Sequence, residues 1–472
     1  MPEAVDFLID GTVITMDGGD RVIRDGAVAV KGERIAAVGK AAELRERYEA
    51  KRILGGPRHY VTPGLIDCHN HLAQGFVREF GLEDLPNIYR ICIPAEIAMS
   101  GDDARVSADV MISQLLRAGV TTLAETTCTV AHEGPIADAV MESGIRCAMA
   151  RGQGDRKGHL AGNYDQVDGR SSKEDDPKKL ADDLAACEAF IKTWQQKGEG
   201  RLRPWIHTGT VVACSDDRFV QAKDLADRFG TGLMTHINRD REEIEYSAAV
   251  NGVRPLEHLQ RLGVLGPNFL AIHAMLTTDR EIKALAEAAA KVAHSPLACN
   301  IIVSAITNVT AMRSAGVTVG LGCDTIVNDL WRIMGYAFTM HTQGTGIPLY
   351  DPLSFTTEDA FAMATRDAAR ALSWDEEIGS LEAGKQADIA VIDGDNVRLS
   401  PSHNPIAVLV QYAVGTDVES VLVAGRLVVD GGEVTTIDQS SLLEEATALS
   451  GRLADVLEPR RYRPLASKAV FS

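Results

Sequence analysis

The sequence predicts an α/β protein: a (β/α)8 barrel of the TIM type beside a small discontinuous β-sandwich built from both ends of the chain. Three observations predict it. From about residue 60 to 370, short apolar runs alternate with helix-like stretches, the rhythm of a parallel α/β fold. About eight such units in roughly 300 residues suit a closed barrel better than an open sheet. The two flanks instead carry short β-rich runs separated by Gly and Asp turns. The expected partition is 1–58 and 373–440 for the sandwich, 59–372 for the barrel, and 441–472 for a terminal helix and tail.

Taken in order, FLIDGTVITMDGGD and GAVAVKGERIAAVG, within residues 6–39, read as antiparallel strands joined by hairpins. VTPGLIDCHNHL, residues 61–72, opens the barrel with a buried strand. Later strand candidates are GVTTLAET, IRCAMARG, PWIHTGTVV, GTGLMTHI, FLAIHAM, KVAHSP and VTVGLG. Between them lie helices. KKLADDLAACEAFIKTWQQK puts Leu180, Leu184, Cys187, Ile191 and Trp194 on one face at helical spacing, which is core packing. TDREIKALAEAAAKV and TEDAFAMATRDAARAL read as two more helices. QADIAVID (386–393) and VESVLVAGRLVVDGGEV (418–434) return to strand texture, and a sheet needs three or more strands to stand; the two flanks therefore pair with each other. SLLEEATALSGRLADVL is an amphipathic helix that packs on the barrel or on a neighbouring subunit.

Composition narrows the function. The chain has 472 residues, 45% of them hydrophobic and 24% charged, which suits a large soluble core. No run is apolar enough for a membrane span, and the acidic N-terminus is not a signal peptide. A formal net charge of −18 argues against sequence-independent nucleic-acid binding and against anionic membranes. The eight cysteines form no C-x-x-C and no framework, which points to free thiols in a reducing cytoplasm. The Asn308 sequon is then an accident. Gly152 and Gly154 lack the spacing and context of a dinucleotide fingerprint.

His69 and His71 share one face of their strand, because side chains two apart point the same way. Two imidazoles on one wall are half of a metal site. His236, His273 and Asp324 each stand at or near the end of a later strand, and a parallel barrel delivers those ends to one rim. Residues 75–100 and 152–176 are long connections on that rim, suited to shaping a pocket. Gln74, Arg78, Glu125, Asn328 and Asp329 stand near the rim; Asn328 and Asp329 either contact substrate or cap the next helix. His132, His159, His207, His258, His341 and His403 default to surface or packing roles, and His294 to lining the barrel.

In PGLIDCHNH, RAGVTTLAET, His236, His273, HSPLACN, GLGCDT and IGSLEAGKQADIAVID, in that order, the chain resembles the amidohydrolase superfamily over almost its whole length. Within it, the likeness is to the branch of triazine hydrolases, S-adenosylhomocysteine-type deaminases and guanine deaminases. The resemblance implies one divalent metal per chain, usually zinc and sometimes iron, held by His69, His71, His236 and Asp324, with His273 near the attacking water or the substrate. No lysine stands at the end of the fourth barrel strand, so a second, lysine-bridged metal is not expected. Asp324 suits a general base, His273 an electrostatic stabiliser, and the product class is hydrolytic: loss of ammonia or an amine, with halide release or opening of a cyclic amide as the alternatives. A small-molecule substrate and a homo-oligomer, dimer or tetramer, complete the expectation.

One position departs from that branch. Its deaminases carry a glutamate three residues after the fifth-strand histidine; here that residue is Arg239, which cannot shuttle protons at neutral pH. Arg239 grips an anionic substrate group, or Asp240, Glu125 or Glu243 supplies the proton, or Arg239 turns outward to the acidic cluster at 240–245. A catalytically silent relative is the alternative of another class.

Overall fold

The computed structural model describes residues 1–77, 91–128, 131–156 and 174–457. Arg78 and His159 lie outside the described residues. Among the described residues, sixteen strands form two eight-stranded sheets. Strands β1 (Glu3–Ile14), β2 (Val22–Lys31), β3 (Arg34–Lys40) and β4 (Tyr48–Pro63) come from the first flank. Next, β5 (Leu65–Asn70), β6 (Val120–Cys128), β7 (Arg146–Arg151), β8 (Leu202–Thr208), β9 (Leu233–Ile237), β10 (Phe269–His273), β11 (Lys291–His294) and β12 (Thr318–Leu321) make the barrel. The second flank gives β13 (Ile389–Asp393), β14 (Val418–Val423), β15 (Arg426–Asp430) and β16 (Glu433–Val434).

The barrel strands run in chain order, each parallel to the next. The seam between β12 and β5 is joined at the rim: Asp324 N donates to His69 O at 2.8 Å, and Cys323 N donates to Asp67 Oδ1 at 2.9 Å. Gly322 belongs to this seam. A Cβ there would lie 2.8 Å from His69 Cβ and 2.9 Å from Ser295 Oγ, so only glycine allows the approach.

The flanks do pair. The order is β16-β15-β14-β13-β4-β1-β2-β3, and β13 runs antiparallel to β4 with Ile389 opposite Pro63. The sheet curls on itself: Ile35 N donates to Lys385 O at 2.9 Å and Ala387 N to Glu33 O at 2.8 Å. Ile9, Val28, Ile35, Val61, Ile389 and Leu422 bury one another inside the curl. Residues 61–63, read from sequence as the start of the barrel strand, belong to β4, so the sheet extends past the expected boundary at 58.

Helices cover the barrel where periodicity places them. Pro177–Lys197 is capped by Asp176, whose carboxylate accepts from Lys178 N and Lys179 N at 3.1 Å, and buries Leu180, Cys187, Phe190, Ile191 and Trp194. Leu184 packs against that core. The stretch 357–372, expected as one helix, is two: Thr357–Met363 and Arg366–Ala371. The break leaves Ala364 O to accept from Ile66 N of β5 at 2.9 Å, so a barrel strand takes up the carbonyl that a continued helix would use. Helix Gln439–Leu457 buries Leu449 and Leu453 against Phe76 and Met99, packing on this same chain. Among the described residues no helix is long and apolar enough to cross a membrane.

Candidate metal centre and cavity

The five strand-end residues meet. The His69 ring lies 4.8 Å from His71, 5.1 Å from His236 and 5.0 Å from His273, centroid to centroid. Asp324 Oδ2 stands 3.5 Å from His69 Nε2 and 3.9 Å from His273 Nε2, and Oδ1 stands 4.0 Å from His71 Nε2. One donor atom each from His69, His236 and His273 fall within 4.8 Å of one another, as do those of His69, His71 and Asp324. His273 (φ 71) and Asp324 (φ 57) adopt left-handed backbone, which non-glycine residues reach at a cost of order 1–3 kcal/mol and keep where the surroundings impose it.

The donors fit a divalent cation. His69 Nδ1 is hydrogen-bonded to Thr126 Oγ1 at 2.7 Å, while its buried Nε2 has no hydrogen-bond partner beyond the Asp324 carboxylate nearby. An orphaned nitrogen facing three more imidazoles and a carboxylate is the N/O set of zinc or iron. Burial lowers His71 and His273 to about 3 and holds His236 well below the usual range, with His69 beside them adding to it, so all three rings are neutral and able to ligate. Burial pushes Asp324 up, but the imidazoles of His69, His71 and His273 overcome it and hold the carboxyl well below its usual range.

The centre forms the floor of a cavity of about 380 Å³. Its outer wall is apolar, with Ile93, Ile97, Met99, Met275, Ile302 and Val303. Gln74 and Arg239 also line it. Gln74 Nε2 donates to Glu96 Oε1 at 2.5 Å, and Glu96, also on the wall, is raised by burial to about 7. Arg239 does not turn outward: it lines the cavity while its Nε and Nη2 both reach Asp240 Oδ2 at 2.6 Å. It thus combines features of two sequence alternatives.

Two expected substrate residues are corrected. Glu125 and Asn328 are absent from the cavity wall. Glu125 Oε2 accepts from Leu72 N at 2.6 Å, fixing the chain just past His71. Asn328 lies among Asn70, Met111 and Gln114: its Oδ1 accepts from Asn70 Nδ2 and its Nδ2 donates to Gln114 Oε1, both at 3.1 Å. The cap on helix Leu330–His341 comes from Asp329. The proposed proton sources Asp240 and Glu243 are also absent from the wall. Asp240 caps helix Arg241–Asn251 and holds Arg239. Glu243, raised by burial to about 7, accepts from Arg239 N at 2.8 Å and Val211 N at 3.4 Å.

Sequence reasoning missed His207, Glu96 and Thr126. His207 stands one residue before the end of β8, as His236 does in β9, so the strand-end criterion that found the metal residues would have found it too. Its Nε2 lies 3.1 Å from His236 Nδ1, and it lines the cavity. Glu96 sits in a long connection whose sequence carries no periodic signal.

A carboxylate and four imidazoles at the mouth of a parallel barrel define a metal-dependent hydrolase. The chain belongs to the amidohydrolase family, whose model matches residues 60–428; a second model, an imidazolonepropionase-like composite domain of bacteria, matches residues 26–48. It is 30% identical over 442 residues to a 5-methylthioadenosine/S-adenosylhomocysteine deaminase of Moorella thermoacetica, covering 93% of this chain and 97% of that one. A 5'-deoxyadenosine deaminase of Methanothermobacter thermautotrophicus is 28% identical over 458 residues, covering 95% and 98%. Among solved structures, an adenosine deaminase from Xanthomonas campestris with bound zinc superposes with a TM-score of 0.85 at 23% identity, covering 96% of this chain and 100% of that one. The protein is thus a hydrolase of non-peptide C–N bonds and not a catalytically silent relative.

Proposed function

We propose that this protein is an aminohydrolase that releases ammonia from an amino-substituted nitrogen heterocycle of nucleoside size, using one zinc held by His69, His71, His236 and Asp324. The convergence of those donors on one cavity floor carries the reading. The names of the relatives, deaminases of adenosine-type compounds, support the substrate class. A cavity of about 380 Å³ lies within the range of small-molecule sites.

When a divalent cation is bound here, the chemistry it supplies is Lewis acidity, which brings water toward ionisation near neutral pH. Asp324, ionised at any working pH, accepts the proton of the attacking water as general base and returns it to the departing amine, which leaves as ammonia. Neutral His273, whose Nε2 faces Asp324, orients the reacting group and stabilises charge as it develops. The apolar outer wall excludes bulk water from the reacting atoms. Glu96, holding its proton up to about pH 7, donates or accepts a hydrogen bond at the substrate's far end.

Arg239 on the wall favours a second reading, in which the substrate also carries an acidic group that the guanidinium binds. A screen of aminated purines, pyrimidines, triazines, their nucleosides and their carboxylated analogues, read by ammonia release, separates the two. Turnover of neutral nucleosides supports the first reading; turnover confined to acidic compounds and abolished by Arg239→Glu supports the second. No ammonia from any compound with zinc-replete protein refutes both.

The exposed apolar run Ile347, Leu349, Tyr350 and Leu353 supports a homo-oligomer, a dimer or tetramer. Light scattering on the purified protein measures it. Buried free thiols among the described cysteines fit a reducing, cytoplasmic setting.

A further inference from the structure

The structure assigns His207 a task in the metal centre: we propose that it sets the tautomer of His236, so that the unprotonated Nε2 of His236 faces the ligand cluster. The inference rests on the metal-centre reading above.

The argument is one of hydrogen bookkeeping along a chain of three groups. His207 Nδ1 lies 3.2 Å from the Gly152 carbonyl oxygen. A carbonyl only accepts, so Nδ1 carries the hydrogen. A neutral imidazole has one N–H, which leaves a lone pair on His207 Nε2. That lone pair lies 3.1 Å from His236 Nδ1, so His236 Nδ1 carries the hydrogen of the second bond. A neutral His236 then has its own lone pair on Nε2, the nitrogen a cation requires. A charged or flipped His207 would reverse the second bond and put the proton on His236 Nε2, closing that donor.

The surroundings hold His207 neutral and in place. It is 4% exposed, and an uncompensated charge there is costly. Arg218, fully buried, donates from Nη2 to the His207 carbonyl oxygen at 2.9 Å and from Nε to Gln153 O at 3.1 Å, and pairs with Asp183 at 2.7 Å. A cation so close opposes a second positive charge on the ring. Gly152 has φ +136, and a Cβ on it would lie 2.2 Å from His207 O and 2.4 Å from Arg218 Nη2. Only glycine brings that carbonyl to the ring. The neighbouring imidazoles lack such direction. His69 Nδ1 meets a threonine hydroxyl, which donates or accepts equally well. His71 Nδ1 and His273 Nδ1 have no hydrogen-bond partner among the described residues.

Two measurements test this. Nitrogen NMR of the metal-free wild-type protein, labelled at histidine, is expected to show His236 protonated on Nδ1 and bare on Nε2; the opposite tautomer overturns the proposal. Zinc affinity, measured by competition with a chromophoric chelator, is expected to fall about 10–100-fold in His207→Leu and to recover in His207→Gln, whose amide oxygen accepts the same hydrogen. Equal affinities in wild type and His207→Leu, or a glutamine variant no better than leucine, overturn it as well. If His207→Leu does not fold, the wild-type spectrum decides. If wild type binds no zinc, the metal-centre reading fails while the tautomer stands or falls on the spectrum.

Discussion

Asp324 is a carboxylate ringed by imidazoles, and both its ionisation and its placement depend on them. Asp324→Asn keeps the shape and removes the base, so kcat is expected to fall by about 10²–10⁴-fold, measured by ammonia release, with zinc per chain falling by elemental analysis. The buried rings also set a pH dependence. His71, His207 and His273 are lowered by burial to about 3, His341 to about 4, and His236 and His294 well below the usual range. The unfolded chain protonates such rings below about 6.5, the folded chain only near the lowered values. Stability is therefore present above about 6.5 and lost as pH falls toward 3. Asp67, Glu96 and Glu243, raised by burial to about 6, 7 and 7, act in the opposite sense: what they contribute is present below their ordinary range and lost as pH rises through those values. Six lowered rings outnumber the three acids raised to about 6 or 7, so the urea midpoint of the metal-free protein should fall between pH 6.5 and 5. A midpoint that rises on acidification contradicts the assignment. The candidate metal residues were legible because four histidines and an aspartate share one strand-end context; singly, each reads as a packing residue, which is how His207 was passed over. Which way a polar side chain faces was not: Glu125 turns to Leu72 N and its neighbour Thr126 to His69, a choice made by one step along a strand.

Elements act on the centre through what they press against. Helix Gln439–Leu457 buries Leu449 and Leu453 on Phe76, just past the 3₁₀ turn that follows His71. Leu453→Ala should cost about 2–4 kcal/mol, read as a lower denaturant midpoint, with zinc stoichiometry unchanged. At the β12–β5 seam, Gly322→Ala should do the converse: His69 is displaced, and zinc affinity drops although the barrel still folds. Wild-type affinity in this variant would show that the seam tolerates a methyl group. Periodicity located the helix, which buries one regular face, and continuous apolar runs located the eight barrel strands, most of them buried on both faces. It read 357–372 as one helix because nothing local marks Ala364, whose carbonyl is claimed by a residue far away in sequence, Ile66. It also assigned residues 61–63 to the barrel strand, since extended backbone runs through Gly64 with little change in texture.

The whole molecule joins a rim that does chemistry to a scaffold that holds it. A cation bound only by the folded state stabilises it by mass action, about 4 kcal/mol at a thousandfold excess over Kd. Added zinc should thus raise Tm and a chelator should lower it; a Tm indifferent to both would argue that the donors hold no metal. The architecture was legible at this scale because α/β alternation and flanking β texture are properties of long windows. Pocket shape was not, because the cavity wall draws on connections after many strands at once. One joint has a consequence beyond the native state. Strand β4 shows one edge to β1 and the other to β13, whose residues come some 330 positions later. On a ribosome adding about 5–20 residues per second, that edge waits roughly 16–66 seconds for its partner. An unpaired edge recruits other chains, so the nascent protein should depend on a chaperone holding its first sixty residues until the last strands emerge.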